Sequence, residues 1–145
     1  MIRAVLDTNV IVSSLLKPTS VPAQIRKAWR DRSFELCLSK ALFLELVDVM
    51  DRPKIAKATR ISKEEIDAFL RLLPKGADFY LESLPRIEVI SKDPDDNIVL
   101  ATAIATNASV IVSGDRHLLE IGAYEGIRIV TPHSFLEMLG VRGAS

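Results

Sequence analysis

The chain has 145 residues and equal numbers of acidic and basic side chains, 19 of each, so its formal net charge is zero. This length fits one compact domain, and we expect a single domain over 1–145, with an ordered core over 2–139 and a tail over 140–145. One cysteine, Cys37, excludes an internal disulfide and a cysteine-based metal site. No apolar run approaches the roughly 18 residues that a membrane span needs. The chain starts with a strand-like segment instead of a secretory leader, so we expect a cytoplasmic protein.

The charges are unevenly distributed along the chain. Residues 17–60 carry ten Lys or Arg against five acids, whereas residues 61–100 carry nine acids against five bases. A basic region beside an acidic focus would steer a polyanion toward bound cations. An ordinary solvated surface explains the same pattern, so charge alone does not identify a partner.

Short runs rich in Val and Ile alternate with stretches of helical period, which predicts an alternation of strands and helices. The predicted elements in chain order are a strand at 2–6, a helix-like run at 10–16, a helix at 23–32, a strand at 34–38, helices at 41–50 and 63–73, a strand at 86–90, a helix at 94–106, strands at 110–112 and 127–130, and a helix at 133–139. The less regular connections are expected at 13–22 and 74–85. Strands separated by helices indicate a three-layer α/β/α sandwich with a central, mainly parallel sheet of about five strands.

Acidic residues follow three of the predicted strands. Asp7 follows the first strand, Asp115 follows the strand at 110–112, and the stretch DPDDN with Asp93, Asp95 and Asp96 follows the strand at 86–90. Ligands of open parallel sheets bind outside the carboxyl ends of the strands. If these strands are neighbours, the carboxylates converge at one edge of the sheet.

Each of these acids also has a structural explanation. Asp93 before Pro94 is a good helix start, Asp95 suits the first helical turn, and Asp115 can cap the turn that follows it. As a group the acids are harder to explain in this way, because clustered carboxylates repel one another unless a proton or a cation neutralises them. Asp7 has the strongest individual case, since it lies between two apolar segments.

Ligand chemistry narrows the choice of metal. Oxygen ligands without cysteine or a nearby histidine favour Mg²⁺ or Mn²⁺. His117 and His133 lack the spacing of metal ligands, and we interpret both as structural. Cys37 and Trp29 are likewise interpreted as packing residues.

The ordered set VLDTNV, LFLELV, DPDDNIVLATA and VSGDRHLL resembles the PIN-domain family over residues 2–139. These proteins are metal-dependent ribonucleases, and many are VapC-like toxins of prokaryotic toxin–antitoxin pairs. The resemblance implies that the catalytic residues are Asp7, Glu45, Asp96 and Asp115, that Asp7, Asp96 and Asp115 bind metal, that Asn9, Ser113 and Asp95 support them, and that Arg116 contacts substrate. The crowded third motif leaves open whether Asp96 or Asp95 is the main ligand. Glu45 can equally be a solvated surface residue.

The implied function is therefore hydrolysis of RNA phosphodiester bonds with one or two Mg²⁺ or Mn²⁺ ions. The resemblance also implies a small antitoxin partner and a homodimer, without a membrane. A phosphate-accepting receiver-like domain is the alternative from another class, but such a domain needs paired acids after the first strand, where only Asp7 stands. A catalytically silent nucleic-acid-binding module is the third possibility.

Overall fold

The computed structural model describes residues 1–58, 60–87 and 94–140, and in the helix that begins at Pro94 it describes side chains from Asp96 onward. Within these residues there are six strands: β1 (Arg3–Leu6), β2 (Glu35–Ser39), β3 (Asp78–Tyr80), β4 (Val110–Val112), β5 (Ala123–Tyr124) and β6 (Ile127–Val130). The same residues form eight helices: α1 (Thr8–Leu16), α2 (Val21–Arg30), α3 (Lys40–Met50), α4 (Pro53–Ala58), α5 (Lys63–Gly76), α6 (Pro94–Ala105), α7 (Arg116–Ile121) and α8 (Pro132–Met138).

The strands form one sheet in the order β3-β2-β1-β4-β6-β5, parallel except for the antiparallel β5. β1 and β4 lie side by side in its centre and are almost entirely buried, which explains their unbroken apolar sequences. Helices flank the sheet, so the predicted α/β architecture with a mainly parallel sheet is confirmed, with six strands instead of about five.

The third parallel strand lies at a different place from the one predicted. Arg86 and Ile87 are not in a strand, and the remainder of the predicted strand, 88–90, lies outside the described residues. β3 instead falls inside the connection that we expected to be irregular, and it pairs with β2 at the edge of the sheet. Its three residues, DFY, are only partly buried, so they carry no run of apolar residues that would predict a strand.

Three helical regions also differ from the prediction. One is α7, where the sequence indicated only a short turn after Asp115. α5 continues through Pro74 to Gly76, three residues beyond the predicted end, and the N–H of Ala77 closes it by donating to the Leu73 carbonyl. α4 was not predicted, since it is short and has no buried residue. Other predicted helix ends lie within a few residues of the observed ones, and Ser62 caps α5 as its capping-box sequence indicates.

The two residues interpreted as packing residues, Cys37 and Trp29, contact the core. Cys37 is fully buried, and Trp29 contacts Phe69 edge to face while its indole N–H donates to the Gly76 carbonyl at 3.3 Å. A Cβ at residue 76 would come within 2.8 Å of the Trp29 ring, so glycine is required there. Among the described residues, no helix combines the length and the apolar character needed to cross a membrane.

Candidate metal centre

The central strand pair brings the ends of two predicted motifs together. Leu6 of β1 is in register with Val112 of β4, and the N–H of Asp7 donates to the Val112 carbonyl at 2.9 Å. Asp7 directly follows β1 and Ser113 directly follows β4, so the two residues lie next to each other at the same edge of the sheet. The Ser113 hydroxyl donates to Asp7 Oδ2 at 2.7 Å.

Asp7 stands at the cap position of α1, but its carboxylate does not act as a cap. The side chain makes no capping hydrogen bond to the helix, whereas the Asp7 carbonyl accepts from the N–H groups of Val10 and Ile11. The half-buried carboxylate is instead oriented by the fully buried Ser113 hydroxyl. The Asp7 side chain is therefore not needed to start the helix.

Ser113 also orients the second acid of this edge. Its Oγ accepts the N–H of Asp115 at 2.9 Å, so one hydroxyl joins the two motifs. Asp115 caps α7, as expected, because its Oδ1 accepts the N–H of His117 at 2.9 Å. The chain Asp7–Ser113–Asp115 is thus a continuous hydrogen-bonded arrangement across β1 and β4.

Asp96 reaches the same edge from α6. This helix packs on β1, β2 and β4, and it is joined to the start of α3 by a 2.7 Å hydrogen bond between the buried hydroxyls of Thr102 and Ser39. Asp96 is only 3% exposed. One oxygen of Asp96, one of Asp115 and one ring nitrogen of His117 all lie within 4.8 Å of one another.

His117, which we interpreted as structural, therefore lies in a group of three side chains that could hold a metal ion. Asp115 lies outside α7 as its cap, and a capping carboxylate bonds to the second residue of the helix. This bond folds the D-R-H sequence back on itself, which brings the imidazole to the carboxylate. A cap aspartate followed two residues later by histidine is the sequence signal that could have found it. His133 instead pairs with Glu137 on α8 at 2.7 Å.

For the other predicted site residues, the structure gives burial and helix packing instead of distances to the three acids. Glu45 is half-buried on α3, which packs against both α1 and α6. Asn9 and Arg116 are exposed. The side chain of Asp95 and the whole of Asp93 lie outside the described residues, so the choice of Asp96 over Asp95 stays a prediction.

A sequence model of the PIN domain matches residues 3–117, which is most of the chain. The matched part includes Asp7 after β1, Asp96 on α6 and Asp115 after β4. The chain belongs to the PIN-domain family. Domains of this family are typically metal-dependent nucleases. The fold of this PIN domain is similar to the crystal structure of PAE2754 from Pyrobaculum aerophilum, with a TM-score of 0.58 and 15% identity over 98% of this chain and 91% of the other. A search of curated protein sequences finds no match.

The donor set of this PIN domain fits a divalent cation. Carboxylate oxygens suit Mg²⁺ and Mn²⁺, and the buried position of Asp96 raises the cost of leaving its charge uncompensated. Within the described part of the chain, two further buried oxygens, Thr8 Oγ1 and Asn97 Oδ1, have no hydrogen-bond partner, and they belong to the neighbours of Asp7 and Asp96. Buried oxygens of this kind usually meet water or an ion.

Proposed function

We propose that this PIN domain is a divalent-metal-dependent endoribonuclease that hydrolyses RNA phosphodiester bonds. The observation that carries the proposal is the convergence of the Asp7–Ser113–Asp115 chain with the buried Asp96 at the carboxyl ends of β1 and β4. This is the edge of a parallel sheet at which ligands bind. A receiver-like domain would require paired acids after β1, and family membership favours the nuclease.

The residues of the site have different roles in an in-line hydrolysis. Asp7, Asp96 and Asp115 would hold one or two Mg²⁺ or Mn²⁺ ions, and Ser113 orients the Asp7 carboxylate and binds the backbone N–H of Asp115. A cation bound there would lower the pKa of a bound water and would offset negative charge on the phosphate. Glu45, on the helix between α1 and α6, takes the role of general base, and the exposed Arg116 contacts a phosphate of the substrate.

The nuclease proposal is tested by incubating the protein with structured and unstructured RNA plus Mg²⁺ or Mn²⁺. We expect the wild type to cut and the Asp7→Asn and Asp96→Asn variants to be inactive. The matched control is Asp31→Asn, which neutralises an exposed carboxylate at the end of α2 and should cut as the wild type does. Equal cutting by all variants would indicate a contaminant, and no cutting of any RNA would leave a silent nucleic-acid-binding module.

The further proposal is that the protein is the toxin of a toxin–antitoxin pair and is held by a small antitoxin. Its support is the resemblance of the four motifs to the VapC-like group. Expression of the wild type should arrest the growth of a bacterial host, whereas expression of Asp96→Asn should not. Co-expression of a neighbouring short reading frame should restore growth, and the small protein that it encodes should co-purify with the PIN domain. Growth unaffected by the wild type would contradict the toxin role.

We also propose a homodimer in solution. Its support is the exposure of large apolar side chains on the helices, with Leu44 of α3 54% exposed and Leu72 of α5 57% exposed. Exposed apolar surface of this kind is often an interaction site. Light scattering at micromolar concentration should give the mass of two chains, and the mass of one chain would contradict the proposal.

A further inference from the structure

The imidazole of His117 lies beside the carboxylates of Asp96 and Asp115. One of its ring nitrogens and one oxygen each of Asp96 and Asp115 lie within 4.8 Å of one another. Ligand atoms at about 2.0–2.2 Å from one cation are about 3–4.4 Å apart, so a small side-chain adjustment lets all three contact one ion. The group therefore has the size of a single coordination sphere.

The fold holds the backbone of His117 in this position from both sides. Its N–H donates to Asp115 Oδ1 at 2.9 Å, and the next residue, Leu118, is fully buried. The side chain is 69% exposed and can turn about χ1 and χ2 without disturbing the core. Because only the backbone of His117 is fixed, its imidazole can turn toward an ion that binds beside Asp115.

The distance between the imidazole and Asp115 is a second indication that His117 can act as a metal ligand. His117 Nδ1 lies 3.7 Å from Asp115 Oδ1, which is too far for a hydrogen bond. The Oδ1 atom already accepts the His117 N–H, so the ring is not held by a bond to that oxygen. A separation of 3.7 Å falls within the range for two ligands that share a cation, and it is also the separation of an ion pair when the imidazole is protonated.

We infer that His117 is a ligand of the cation held by Asp96 and Asp115, and that the site consequently prefers Mn²⁺ to Mg²⁺. Imidazole nitrogen suits transition metals, whereas Mg²⁺ prefers oxygen ligands and retains its waters. A site of carboxylates alone would not distinguish the two ions in this way. The inference rests on the proposed nuclease site binding a divalent cation, but it does not depend on the RNA substrate.

The test uses the metal alone and the two histidines of the chain. Titration calorimetry of the wild type should give a dissociation constant for Mn²⁺ at least about tenfold lower than for Mg²⁺. In His117→Gln the Mn²⁺ constant should rise by about tenfold, with the Mg²⁺ constant nearly unchanged. The matched control is His133→Gln, which removes the other imidazole, paired with Glu137 on α8, and should leave both constants unchanged.

Pulsed electron paramagnetic resonance of bound Mn²⁺ supplies a readout that does not depend on affinity. An imidazole nitrogen coupling should be present in the wild type and in His133→Gln, and absent in His117→Gln. A coupling that persists in His117→Gln, unchanged Mn²⁺ affinity in that variant, or no Mn²⁺ binding by the wild type would each overturn the inference. Failure of the nuclease proposal is distinct from these results, since it would appear as Mn²⁺ binding through His117 without cleavage of any RNA.

Discussion

The two ends of the central sheet gather charged residues for the same topological reason but hold them differently. Parallel strands align their amino ends at one edge, where Arg3 of β1 donates to the carboxylates of Glu35 on β2 and Asp78 on β3, and to the Thr106 carbonyl. Their carboxyl ends lie at the other edge. There, the contacts that orient Asp7 and Asp115 come from a hydroxyl and backbone N–H groups.

The difference separates a structural charge cluster from a candidate site. At the amino end a guanidinium neutralises two acids within the protein, so that cluster is complete. At the carboxyl end, the Ser113 hydroxyl donates to Asp7 and the N–H of His117 donates to Asp115, and neither of these two donors carries the positive charge of a guanidinium. Substitutions at the two ends should therefore affect different properties, stability at one and catalysis at the other.

The largest effect is expected from Asp96→Asn. This change removes one charged ligand and should lower the rate of metal-dependent RNA cleavage by at least about 100-fold. The free energy of unfolding without metal should stay equal or increase, because repulsion between the carboxylates is relieved. Cleavage assays and urea unfolding, each with and without Mn²⁺, measure the two quantities.

Metal dependence supplies the control for this variant. Mn²⁺ should raise the melting temperature of the wild type, and it should do so much less in Asp96→Asn, because a ligand that binds only the folded state stabilises it. If Asp96→Asn loses stability and keeps its response to Mn²⁺, then Asp96 is a structural residue like those around Arg3.

The second effect is expected from Ser113→Ala, which removes the hydroxyl between Asp7 and Asp115. The Asp7 carboxylate should lose its hydrogen-bond donor and the backbone N–H of Asp115 its acceptor, and the cleavage rate should fall by about 10- to 100-fold, as it does when other groups that position metal ligands are removed. The control is Ser134→Ala, which removes an exposed hydroxyl at the start of α8. Equal rates for Ser113→Ala and the wild type would show that Ser113 does not position the site.

The contrast between the two ends also explains what the sequence could predict. Asp7 and Asp115 were predictable, because each directly follows a buried apolar strand and parallel strands end at one edge. Asp96 was predicted to lie in a helix at 94–106 that follows a strand at 86–90. The described residues place it on α6, which packs across β1, β2 and β4, but Arg86 and Ile87 are not in a strand. Sequence period does not report how far a helix extends over a sheet.

The residues that the sequence did not reveal depend on geometry without a periodic pattern. His117 reaches Asp115 through a cap hydrogen bond, and this contact follows from the turn, not from helical spacing. Asp78 joins the Arg3 cluster through β3, a strand of three partly exposed residues. In both places one hydrogen bond or one short edge strand determines the contact, and such features leave little trace in composition.

The third effect concerns the amino end and is expected to be purely one of stability. Arg3→Met keeps an unbranched apolar stem but removes the hydrogen bonds to Glu35 and Asp78, and it should lower the free energy of unfolding by about 1 kcal/mol, since the pairs are partly exposed. The cleavage rate should not change. A double-mutant cycle with Asp78→Asn in urea should show a coupling energy, and additive effects would mean that the ion pair contributes nothing.

The smallest effect is a pH dependence near the amino end, at Cys37 of β2. Burial raises the pKa of the Cys37 thiol above its ordinary value of 9.0. At a pH between 9.0 and this raised pKa, the thiol is therefore protonated in the folded protein and ionised in the unfolded chain. The contribution of the thiol to stability is therefore complete below pH 9.0 and is lost as the pH rises through the pKa of the folded state. Urea unfolding should show the stability difference between the wild type and Cys37→Ala shrinking by less than about 1 kcal/mol at about pH 9.5, equally with and without Mn²⁺. A difference that stays constant with pH, or that changes with Mn²⁺, would contradict the separation of the two ends.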